Sequence, residues 1–168
     1  MAIVRTYRLD EKNVLHFREA WFQQFEDEEL GQFVVNHGPV GHMSQTSEVQ
    51  DVTAQQIEIS GGLGDFDATN LNASQRLYID AGMGDVDVSG SFGGEVELDC
   101  GMGSVNLEVQ GASREDFDYD LDVGMGSLSV EGVEASGFLG GEYKTSDGKD
   151  RSITVDGGMG DVKISFAE

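Results

Sequence analysis

Five aspartates stand where their spacing would let them act together. Asp80, Asp99, Asp122 and Asp156 each lie two residues before a Gly-Met-Gly triplet, and Asp85 directly follows one. Carboxylates that recur in step can be stacked by the fold into a row of oxygen ligands. Ca²⁺ takes 6–8 such oxygens, so these five residues are the candidate metal ligands and Ca²⁺ the candidate ion. Paired carboxylates also perform glycoside hydrolysis. That reading lacks a row of aromatic side chains for sugar stacking, since Tyr78 and Tyr143 are isolated. The sequence carries no Ser-His-Asp grouping, P-loop or nucleotide fingerprint. Its Gly-x-Gly elements are turn devices, with no helix after them to receive a phosphate. No catalytic residue is assigned, and a non-enzymatic protein is expected.

The aspartates are placed by a device that occurs five times: Gly62-Leu63-Gly64-Asp65, Gly82-Met83-Gly84-Asp85, Gly101-Met102-Gly103-Ser104, Gly124-Met125-Gly126-Ser127 and Gly158-Met159-Gly160-Asp161. The copies begin 20, 19, 23 and 34 residues apart. Apolar residues alternate on both sides, as in Leu77-x-Ile79-x-Ala81 and Val86-x-Val88. That period of two marks strands. A unit of this length cannot bury its own apolar face, so the copies are expected to stack as a solenoid. The fold expected is all-β: a single-stranded β-solenoid of five coils, right-handed by the default for parallel crossovers, with a small N-terminal β-hairpin unit. The paired glycines are the structural turns, because glycine reaches positive φ without steric cost.

Stacking in register makes further expectations. Ile59, Ile79, Leu98, Leu121 and Val155 form one inward column, and Phe66, Val86, Val105, Leu128 and Val162 a second. Alternation also places Leu63, Met83, Met102, Met125 and Met159 inward, as adaptable core filler. Cys100, in a column of small residues, is expected to act as a buried small hydrophobe. Ser60, Asp80, Asp99, Asp122 and Asp156 face outward, and Asp65, Asp85, Ser104, Ser127 and Asp161 occupy the turns. The excursion from Glu134 to Arg151 reads as a protruding loop or β-arm and as a place for specific contacts. After Phe166 nothing remains to cap the last coil, so the open solenoid end invites self-association.

Residues 1–50 lack the device and hold the only Trp, the only Pro and all three His. They read as a small β unit or cap, with strands near 14–23 and 32–36 joined by the acidic loop 26–31. Residues 51–168 form the repeat domain. His16, His37 and His42 raise a zinc site, but structural zinc is held by four closely spaced ligands, and no Cys lies near them. The net charge is −22. Nucleic acid, which needs a basic footprint, is excluded as a partner. No run approaches the ~18 apolar residues of a membrane span, and the N-terminus has no signal-peptide pattern, so a cytoplasmic location is expected. Association with the cell envelope is the alternative if the chain is a fragment. One Cys excludes an intrachain disulfide.

Two resemblances add to this. The segments Asp80-Ala81-Gly82-Met83-Gly84-Asp85-Val86, Asp118 to Ser127 and Gly158-Met159-Gly160-Asp161-Val162-Lys163-Ile164-Ser165-Phe166 resemble the bacterial adhesin-like β-solenoid family, a domain of unknown function. The likeness covers residues 55–168. It implies a bacterial structural or adhesive module with protein or cell-envelope contacts and no catalytic residues. Gly61-Gly62-Leu63-Gly64-Asp65 resembles the start of a calcium-binding nonapeptide repeat, but with the wrong period. The run from Asn36 to His42 faintly resembles the signature of WGR domains. Its Trp and Arg are replaced, so that family's function is not carried over.

Overall fold

A computed structural model describes residues 2–4, 7–9, 15–17, 20–22, 30–36, 47–135 and 141–167. The fold is all-β, a nearly closed, barrel-like mixed sheet. Among the described residues the only helical element is a 3-10 turn at Arg114–Asp116.

Alternation makes the strands. β6 (Ser47–Leu63) and β7 (Phe66–Met83) are long and bend midway, so each supplies one arm to either wall of the sheet. The first arm of β7 pairs with β8 (Val86–Phe92) and its second arm with β9 (Glu95–Met102). Both pairings are parallel. The remaining strands are β10 (Val105–Gln110), β11 (Phe117–Met125), β12 (Leu128–Val130), β13 (Val133–Ala135), β14 (Gly141–Lys144), β15 (Arg151–Met159) and β16 (Val162–Ala167). Along the sheet the order is β13-β12-β16-β10-β8-β7-β9-β15-β11-β14.

The inward residues form one hydrophobic cluster. The expected columns are there: Ile59, Ile79, Leu98, Leu121 and Val155 are at most 2 % exposed, and Phe66, Val86, Val105, Leu128 and Val162 are also buried. Each fully buried Leu or Ile contributes ~1.5–3 kcal/mol by leaving water. Cys100 is buried among them.

Strand pairing explains the unequal spacing of the repeats. The 20-residue step contains Asn70, a left-handed corner at φ 56°, where the register of β7 against β8 shifts by one residue. The next step lacks that extra residue. In its place Gly90 packs so closely that a Cβ would stand 2.0 Å from the Leu71 carbonyl oxygen. The 23-residue step accommodates the 3-10 turn.

The 34-residue step hides a change of order. β15 pairs with β9 on one side and β11 on the other, and β16 lies likewise between β10 and β12. The last repeat in sequence is therefore fourth in space. Of the loop or β-arm expected for the excursion, the described part contains strand. It folds back along the sheet: β13 runs antiparallel to β12 and β14 antiparallel to β11. The Asp118 carboxylate accepts the backbone N–H groups of Asp147, Gly148 and Lys149 at 2.7, 3.0 and 2.9 Å. These bonds favour the ionised form and hold its pKa below the usual aspartate range. Tyr143 packs edge-on against Tyr119, and the Arg114 guanidinium donates to the Tyr143 hydroxyl. The end of the stack expected after Phe166 therefore lies elsewhere. β16 is an interior strand, and among the described residues β13 and β14 are the strands that end the sheet there.

At the N-terminal side, β1 (Ala2–Val4) pairs antiparallel with β4 (Ala20–Phe22), and β2 (Tyr7–Leu9) with β3 (Leu15–Phe17). β5 (Leu30–Asn36) runs parallel to Ala54–Ser60 of β6. That is a different partner from the 14–23 strand expected in a hairpin with it. The His37 to His42 run, with its zinc and WGR-like readings, lies outside the described residues. So does the side chain of His16.

In the four triplets from Gly82 onward the second glycine is more tightly packed than the first. Gly103 has φ +142°, and a Cβ there would lie 1.9 Å from the Gly84 carbonyl oxygen. Gly103→Ala is expected to cost at least ~2 kcal/mol. Gly111→Ala, also at positive φ but in open space, should cost only ~1–2 kcal/mol. Urea denaturation of both variants checks this, and an equal loss would show that crowding at the corner is unimportant.

Candidate functional site

The corner between the two arms of each repeat carries the candidate residues. Before it, Ile79 and Ala81 point inward. After it, Val86 and Val88 do. Sheet pairing continues through the triplet. Leu63, Met83, Met102, Met159 and Met125 stand opposite one another in that spatial order. The N–H groups of Gly64, Gly84, Gly103 and Gly160 donate to the carbonyls of Met83, Met102, Met159 and Met125 at 2.8–2.9 Å.

The side chains of this row are not core, which corrects the inward placement. Leu63 is 57 % exposed, Met83, Met102 and Met159 are 41–42 % exposed, and Met125 is 51 % exposed. Alternation assigns faces only while the backbone stays regularly pleated. Here the corner glycines, at positive φ on the far side of each Met, swing the chain round. The Met side chain is left on the outside of the bend. One signal in the sequence could have revealed this. The inward columns mix Ile, Leu, Val and Phe, whereas this row holds Met at four of five positions.

Two rows of acid border the ladder. Ser60, Asp80, Asp99, Asp156 and Asp122 lie side by side on consecutive strands. The central member feels its neighbours: partial burial, then the charges of Asp156, Asp80 and Glu97, raise the pKa of Asp99. On the other side the turn carboxylates bind the next corner. Asp65 accepts the N–H of Asp85 at 3.0 Å, and Asp85 that of Ser104 at 2.8 Å. Asp161 accepts both the N–H and the hydroxyl of Ser127, at 2.9 and 2.7 Å, which lowers its pKa.

Of the five candidate ligands, the structure brings Asp80, Asp99, Asp156 and Asp122 into one row. Asp85 sits apart in the turn row, with one oxygen engaged by a backbone N–H. The carboxylates line up rather than converge. Among the described residues no three His, Cys, Asp or Glu groups form a cluster able to hold a metal ion. The Cys100 thiol is pushed up in pKa, chiefly by burial, so it stays protonated and inert. What the corner offers is adaptable apolar surface edged on both sides by negative charge. No protein-family profile, curated protein or solved structure matches the chain. Among the described residues no helix is long and apolar enough to cross a membrane.

Two measurements follow from the acid rows. A carboxylate whose folded pKa is raised disfavours folding once ionised, so its effect on stability worsens as pH rises through that pKa. Asp99→Asn should raise the melting midpoint at pH 7 and leave it little changed near pH 3, where Asp99 itself is protonated. An unchanged midpoint at pH 7 would show that the row is fully screened. Millimolar Ca²⁺ should shift the wild-type midpoint no further than Mg²⁺ at equal ionic strength. A rise with Ca²⁺ alone, such as the ~2.7 kcal/mol from a site at a hundred times its Kd, would show that the row binds the ion.

Proposed function

We propose that this chain is a non-enzymatic structural and interaction module that makes protein or cell-envelope contacts through its corner edge. The repeats wind as a single-stranded β-solenoid whose five coils follow the strand order given above. The parallel, in-register pairing of spatially neighbouring repeats supports that winding. The likeness of the Gly-Met-Gly-Asp corners to adhesin-like solenoids supports the class of function. The carrying observation is the exposed ladder of four methionines and a leucine on a scaffold whose other apolar columns are buried. Exposed apolar surface that is contiguous and rimmed by polar groups marks interaction sites. The described part of the Glu134 to Arg151 excursion, the alternative contact region in the sequence, is engaged instead along β11 and β12.

Methionine oxidation footprinting tests this reading. In the free protein Met83, Met102, Met125 and Met159 should form sulfoxides readily under mild peroxide. In host-cell extract all four should be protected together, while the melting behaviour of the purified protein is unaffected by their replacement with Ser. Equal oxidation with and without extract would overturn the proposal.

A further inference from the structure

We infer that the methionine ladder docks a cationic, amphipathic helix of a partner protein. This rests on the interaction reading above and names the partner's chemistry.

Three observations lead to a helix with basic flanks. First, the ladder backbone is already bonded. Four of the five corner glycines, Gly64, Gly84, Gly103 and Gly160, give their N–H to the neighbouring Met carbonyl, so a strand laid along the ladder finds these backbone groups already engaged. Second, the side chains rise one strand spacing at a time. At ~4.8 Å per step the five positions span ~19 Å. A helix laid along them presents its i, i+3 and i+4 positions every ~5 Å and covers that length in about 13 residues. Unbranched thioethers adjust to whatever apolar face arrives, as in other promiscuous helix-binding surfaces.

Third, the rims are acidic on both sides. Asp80, Asp99, Asp156 and Asp122 flank one side of the ladder, and Asp65, Asp85 and Asp161 flank the other. Among the described residues the nearest cation in sequence is Lys163, two places beyond Asp161. A partner with Lys or Arg on either side of its apolar stripe meets both rows. A second copy of this chain would bring carboxylates against carboxylates at a net charge of −22 each, and an anionic membrane is repelled in the same way.

The probe is a fluorescein-labelled 14-residue Leu/Lys helical peptide, with a twin in which Glu replaces every Lys. Anisotropy titrations use the full chain, the variant M83S/M102S/M159S and the variant D80N/D99N/D156N, each confirmed folded by circular dichroism. The Leu/Lys peptide should bind the wild type at least ~tenfold more tightly than the Glu twin, a difference of about 1.4 kcal/mol. The methionine variant should weaken binding by at least ~tenfold, and the aspartate variant and raised salt should each weaken it several-fold. Equal binding of both peptides, or wild-type binding by the methionine variant, would overturn the inference. Concentration-dependent dimerisation that the methionine variant abolishes would overturn it in favour of a second copy. If neither peptide binds yet the methionines are protected in extract, the helix is wrong and the interaction reading survives. If they are not protected, both fall.

Discussion

The whole structure depends on how closely neighbouring corners approach. Where one triplet lies on the next, a side chain on the second glycine would need space that the adjacent carbonyl already occupies. A Cβ would come within 2.2 Å of it at Gly84, and closer still at Gly103, Gly126 and Gly160. Only glycine satisfies both that contact and the positive φ. The close approach lets the backbone bonds of the ladder form, and those bonds fix the register. Register in turn decides which side chains are buried, because a slip of one residue would exchange the inner and outer faces.

Register has an electrostatic consequence too. Repetition sets like beside like, so an outward Asp finds another Asp on each side. The fold answers in two ways. In the turns, carboxylates are turned onto the N–H groups of the next corner, and a charge bonded in this way is stabilised rather than merely tolerated. In the outer row Asp99, partly buried and beside Asp156 and Asp80, keeps its proton more readily. On the same face nearer the strand start, Arg76 is bonded to Glu97 and lies 3.6 Å from Glu95. These exposed pairs relieve repulsion more than they add stability.

Much of the core was legible in the sequence because burial here follows a period of two. Ile79 and Leu98 could be placed side by side from spacing alone, and the strand register confirms the pair. Local irregularity was harder to read. The methionines failed the alternation rule because the backbone ceases to be a regular strand at the glycines that flank them. The path of the last repeat was hidden for another reason. Spacing reports the length of the chain between repeats and not their spatial order, so 34 residues could equally have held a protruding loop. Only the antiparallel pairing of Tyr143 with Leu121 reveals that the excursion returns to the sheet. In the candidate site, the Asp row was legible from spacing. The exposed thioethers between the two acidic rows were not.

The insertion of β15 and β16 between earlier strands bears on how the chain is assembled. A stack built in sequence order can grow one layer at a time behind the ribosome. Here β11 and β12 emerge before the strands that join them to β9 and β10. They must wait, tethered and without their principal neighbours, until β15 and β16 are made. Strand pairing at this end is non-local in sequence, and loop closure has to precede its reward. The C-terminal strands therefore act as a keystone. A chain stopped short at residue 150 would lose more than its last layer, since the layer beyond would have nothing to rest on.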